Sequence, residues 1–259
     1  MHLTWLDSNT WLIEFGGRRI LVDPWLVGRL VFGNLPWLIQ GKRLTSCSLP
    51  EAIDVILLSQ GLEDHAHPPT LQQLDKTIPV VASPNAAKVA QQLNYRQVKS
   101  LEHFESIVFS DRLKIQALPG FPMGPFVVEN GYFLEDLEQG LRLYYEPHGN
   151  PPSALQEIGS VDIVITPLIS QELPLSVSII RGGETALQVC QWLHPEVILP
   201  TAGQGGNIEF EGMLAPWLKT RGTLDEFRLL LAERQLKTRV VAPKVGERIE
   251  LNLEKQRAN

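Results

Sequence analysis

Four short apolar runs constrain this chain more than any other feature: "DVILLS" at 54–59, "PVVAS" at 79–83, "DIVITP" at 162–167 and "EVILP" at 196–200. Each is short, rich in valine and isoleucine, and apolar at successive positions, the pattern of a strand covered on both faces. Such strands need helices to cover them, and amphipathic segments follow in sequence. "PNAAKVAQQL" comes after the second run, "GGETALQVCQWL" lies between the third and fourth, and "TLDEFRLLLAERQL" follows the fourth, with Thr223 and Glu226 in capping-box positions. Upstream, "TWLIEF" and "RRILVD" flank Gly16-Gly17, a pair that supplies the positive φ of a hairpin turn. No Gly/Ser linker or internal repeat divides the chain, and "HPPTL" and "GNPPS" read as loops. The expectation is one α/β domain over 1–259, with 44% apolar residues supplying its core.

Charge and cysteine content narrow the function classes. The 23 Lys and Arg against 29 Asp and Glu give a net charge of −6 without a basic cluster, which excludes nucleic acid as a partner. Cys47 and Cys190 lack CxxC spacing, so a thiolate zinc site and a disulfide framework are both unexpected. The opening "MHLTWLDSNTWLIEF" has no basic region leading into an apolar one, and Asp7, Asn9 and Glu14 interrupt it. A cytoplasmic protein starting at or near Met1, with no transmembrane segment, is the expectation.

Chemistry-bearing residues gather where the first run ends. In "LLSQGLEDHAHPPTL" a strand gives way to Asp64 and His65, with His67 two residues on and Pro68-Pro69 opening a helix. "RLYYEPHGN" carries Glu146 and His148, which share a face if the chain stays extended, as Pro147 favours for Glu146. The bland reading keeps Asp64 and His65 as a structural pair, with the carboxylate capping the helix and the imidazole bonding a carbonyl. His67 reads as a loop or surface histidine. His2, His103 and His194 have no neighbouring donors.

At these residues the chain resembles the metallo-β-lactamase superfamily. "LTWLDSNTWLIEFGGRRILVDPWL" is similar to the opening hairpin and Asp-Pro turn of its lactonase-like and N-acylphosphatidylethanolamine phospholipase D-like branch. The family's strand-end motif H-x-H-x-D-H falls on Gln60, Leu62, Asp64 and His65. The resemblance implies a four-layer αββα sandwich with its site at the strand ends. It also implies that the first metal site is absent, because Gln60, Leu62 and "ALPGFPMG" supply no histidine where the family has three. Leucine cannot donate to a metal, and a glutamine amide is a weak ligand.

What survives is the second site: Asp64, His65 and, at or beside the bridging position, His148, with Glu146 as fourth ligand or general base. The slot of the last histidine falls near Thr201, and Gly203 sits in the following "GQGGN". The implied enzyme is a hydrolase of an ester, amide or phosphodiester, with one divalent ion (zinc, manganese or iron) and with Asp64 and Glu146 catalytic. Gln60, Leu62, His67, Thr201, Gly203 and Trp37 would line its cleft. The alternative is an inactive relative without metal that serves as a binding or scaffold protein through the old cleft or the Trp-rich segment. The apolar segment 24–43, "PWLVGRLVFGNLPWLIQGKR", reads either as core or as a lid or docking patch for an apolar substrate, a lipid surface or a protein.

Overall fold

The computed structural model describes residues 1–123, 127–174, 177–202 and 206–253. Two seven-stranded sheets face one another. The first runs, edge to edge, Arg248–Glu250, His2–Trp5, Trp11–Phe15, Arg18–Val22, Val55–Leu58, Val80–Ala82 and Val98–Ser100. The second runs Arg239–Val240, Val197–Pro200, Ile163–Thr166, Leu141–Tyr145, Val127–Asp136, Leu113–Met123 and Ser106–Phe109. All four apolar runs are central strands in parallel pairings, with Ile56 opposite Val80 and Ile163 opposite Val197. The expected turn is also present: Trp11–Phe15 and Arg18–Val22 pair antiparallel across Gly16 and Gly17, both at positive φ.

Three hydrophobic clusters account for four layers. One fills the space between the sheets, with Trp11, Ile13, Leu57, Tyr132 and Ile165 among its members. A second lies between the first sheet and the helices Pro68–Gln73 and Pro84–Gln92, through Leu71, Ala86 and Ala90. The third joins the second sheet to the helices Glu184–Leu193 and Leu224–Glu233, through Leu187, Leu193 and Phe227. Capping follows the residue types: Ser83 and Thr223 accept amides of the first turns of their helices.

The hairpin of Leu113–Met123 and Val127–Asp136 has no clear alternation in sequence, because Pro119, Gly120 and Pro122 interrupt it and the register shifts there. Glycine is required at 120, where a Cβ would lie 2.8 Å from the Gly131 nitrogen.

The apolar segment divides between two roles. Trp25, Leu26 and Leu30 are buried, and the Arg43 guanidinium ties the segment down by donating to the carbonyls of Trp25 (2.8 Å) and Leu6 (2.7 Å). The strands Leu30–Val31, Gln40–Arg43 and Ile208–Glu211 then form a small separate sheet that rises beside the sandwich. Trp37, expected in the cleft, stands 62% exposed instead. Its loop projects beyond the strands on either side of it, so neither core nor cleft receives its ring.

Candidate metal centre

The carboxyl ends of strands from both sheets converge on His65 and His148. Their Nε2 atoms lie 2.9 Å apart, and Asp64 Oδ2 lies 3.2 Å from His65 Nε2. Outer partners fix each ring. Asp23 Oδ2 accepts the Nδ1 proton of His65 at 2.7 Å, and the Ile179 carbonyl accepts that of His148 at 3.2 Å. With both Nδ1 atoms donating, the two facing Nε2 atoms present lone pairs. Lone pairs at that distance need something positive between them, either a proton or a metal ion.

Burial opposes charge on His65, but Asp64 and Asp23 outweigh it and lift its pKa to about 10. Burial and the neighbouring His65 push His148 down to about 4. Burial also works against Asp64, yet the two imidazoles hold its carboxyl below the usual value, and its Oδ1 is buried with no hydrogen-bond partner. Asp64, His65 and His148 thus offer three ligand atoms within 4.8 Å of one another. Two imidazoles and a carboxylate with a spare oxygen suit a borderline divalent cation.

The other candidate residues lie elsewhere. Glu146 was placed with the ligands on the premise of an extended chain, but the strand ends at Tyr145 and residues 147–149 bend. Its carboxylate accepts the amides of His148 (3.1 Å) and Asn150 (2.7 Å), while burial lifts its pKa to about 7 against those amides. It fastens the turn that carries His148 and stands outside the ligand cluster. His67 is buried and not on the surface. Its Nδ1 caps the helix Pro68–Gln73 at Thr70, and its Nε2 donates to the Arg29 carbonyl at 3.1 Å. The helix cap assigned to Asp64 in the bland reading is therefore taken by His67.

The Thr201 hydroxyl is enclosed, accepting from Trp11 Nε1 at 3.2 Å beside Asn9 Oδ1 and the Ser8 carbonyl. The Leu62 carbonyl accepts the amides of His65 and Ala66, which shapes the turn. Gln60 is buried, with neither amide atom paired. Gly203 lies outside the described residues. The segment "ALPGFPMG" contributes Phe121, whose ring stacks on His148 with centroids 4.5 Å apart.

Three participants were not singled out from sequence. Asp23 accepts the Ser59 amide (2.7 Å), the Ser59 hydroxyl (2.5 Å) and the Tyr145 hydroxyl (2.6 Å) as well as His65. Its signal was present: an acid directly after the buried run "RRILV". Asn9 directs its Nδ2 at His65 Nε2 from 3.5 Å. Tyr145 and Asn9 sat within recognised elements without any pattern that marked them.

Above the centre opens a cleft of about 650 Å³ with Asp64, His148 and Asn9 in its floor. Its lining includes Leu30, Phe32, Ile39, Ile208, Phe210 and Leu214, and Leu30 and Phe210 come from strands on either side of Gln40–Arg43 in the small sheet. Among the described residues, no helix is long and apolar enough to cross a membrane.

Similar architectures are known. An isothiocyanate hydrolase from Delia radicum gut bacteria is 17% identical, with a TM-score of 0.68 over 97% of this chain and 99% of its own. A possible metal-dependent hydrolase from Veillonella parvula is 15% identical, with a TM-score of 0.72 over 97% and 99%. A metallo hydrolase from the archaeon Ignicoccus hospitalis is 17% identical, with a TM-score of 0.67 and the same coverage. No curated protein matches the chain. The family model described as a beta-lactamase superfamily domain matches residues 2–202. With that match over most of its length and the αββα layers in place, the chain belongs to the beta-lactamase superfamily.

Proposed function

We propose that this protein is a hydrolase working with a single divalent ion held by Asp64, His65 and His148. The observation that carries the reading is the pair of His65 and His148 Nε2 atoms 2.9 Å apart beside the Asp64 carboxylate, at the floor of an open cleft. An ion bound there supplies Lewis acidity and lowers the pKa of water. The chain's own residues do the rest. Asp23 and the Ile179 carbonyl hold the two rings in the ligating tautomer. Asp64 Oδ1, unpaired, is free to accept a proton, and Asn9 Nδ2 is placed to hold a substrate oxygen. Glu146 acts through the 146–150 turn as a positioning residue. Esters, amides and phosphodiesters are the substrate classes open to such a centre, and zinc, manganese or iron the metal it would hold. Two unpaired cysteines agree with a reducing compartment.

A second reading, an inactive binding protein, draws on the Phe121 ring against His148 and on Gln60 and Leu62 in the motif. Metal analysis of protein purified without chelator separates the two. The hydrolase reading expects about one equivalent of metal, falling severalfold in Asp64→Ala. Less than about half an equivalent, unchanged by the substitution, would leave the binding reading standing.

A further inference from the structure

We infer that the substrate is an uncharged ester or amide with an apolar body, and that phosphodiesters and substrates with a carboxylate at their far end are excluded. This rests on the hydrolase reading and narrows it. The cleft walls are Leu30, Phe32, Ile39, Ile208, Phe210 and Leu218, an apolar slot with room for a medium-length acyl group or a substituted ring. Among the described residues that line the cleft, none is lysine or arginine, while Asp7, Asp64 and Glu209 are acids.

Three cations on neighbouring strands and loops are spent elsewhere. Lys42 pairs with Glu209 (3.0 Å) and Glu211 (2.7 Å), Arg29 with Glu211 (2.7 Å), and Arg221 with Glu172 (2.8 Å). A bound divalent ion does not reverse the sign of the floor. Asp64 is its ligand, Asp23 lies directly behind His65, and Asp7 lines the same cleft. Three carboxylates then stand against two positive charges. Asp7 is fixed in place: Oδ1 accepts the Ser8 amide at 2.8 Å and Oδ2 the Asn207 amide at 2.7 Å.

A phosphoryl site needs cationic side chains besides a single metal ion to clamp its equatorial oxygens, and the described residues of the lining include none. A carboxylate at the far end of a substrate would lose its hydration against aliphatic walls with no partner. A neutral carbonyl meets only the floor groups, and its apolar body gains from the walls.

The test compares ligands that share a head group and length. Octanamide and suberamate, the same amide with a terminal carboxylate, are titrated into zinc-equilibrated protein by calorimetry. Octanamide should bind at least about tenfold more tightly, from the cost of an unpaired charge on the walls. Leu218→Lys, which adds a cation to the wall, should close most of that gap. Turnover of 4-nitrophenyl octanoate and of bis(4-nitrophenyl) phosphate is followed alongside, with the ester expected to be the substrate. Suberamate binding as tightly as octanamide, or the phosphodiester turned over as well as the ester, would overturn the inference while leaving the hydrolase reading intact. A binding preference as expected with neither compound turned over would sink the hydrolase reading and the substrate assignment with it, leaving only a cleft selective for uncharged ligands.

Discussion

At the scale of single residues, Asp23 ties the centre together although the motif does not name it. One buried carboxylate accepts from a backbone amide, two hydroxyls and an imidazole, and its hold on His65 Nδ1 turns Nε2 toward the cleft. Asp23→Asn keeps the shape, but its NH2 group faces donors. The variant should bind zinc about 10- to 100-fold more weakly, measured by competition with a chromophoric chelator. An unchanged affinity would mean that His65 does not need its outer partner. Asp64, His65 and His148 were legible because they occupy or adjoin motif positions, and the direction of the Glu146 side chain was not, because alternation holds only while a strand continues. Two residues past the strand end, the bend at 147–149 decides direction instead.

At the scale of elements, the apolar segment 24–43 shows how composition alone misleads. Its tryptophans look equivalent in sequence, yet Trp25 is fully buried and packs over Gly41, while Trp37 projects outward. Trp25→Ala should cost about 3–5 kcal/mol in urea unfolding. Trp37→Ser should change stability by less than about 0.5 kcal/mol. Equal losses from both would show that the exposed loop is part of the core. The buried strands and helices were legible because parallel strands with both faces covered leave no polar alternation. The short strands beside the cleft were not, since Leu30–Val31, in the small sheet, and Lys219–Arg221, paired with Ser170–Leu173, are shorter than any period they could display.

At the scale of the molecule, stability has an acid limb that can be assigned. Burial disfavours charge on Asp136, but the two-pronged Arg112 contact (3.0 and 2.9 Å) and the amides of Gln139 and Glu138 hold its carboxyl below the usual range. A carboxyl whose folded pKa is depressed adds stability above its unfolded value and loses it as pH falls through the folded one. Asp136→Asn should therefore cost about 2 kcal/mol at neutral pH and progressively less as the pH falls below the ordinary carboxylate range, followed by denaturant unfolding at each pH. A loss that does not depend on pH would assign the effect to packing.

The cleft wall has a consequence for biosynthesis. Lys42 and Glu211, paired across the small sheet, are 169 residues apart in the chain. Translation is directional, so the strand Gln40–Arg43 emerges long before Ile208–Glu211 exists to cover its edge. Until then the small sheet lacks its third strand, and Leu30, Phe32 and Ile39 lack the Ile208 and Phe210 that share the lining of the cleft with them in the finished fold. Over that interval the nascent chain carries an uncovered strand edge beside exposed apolar side chains, the combination that favours association with other chains.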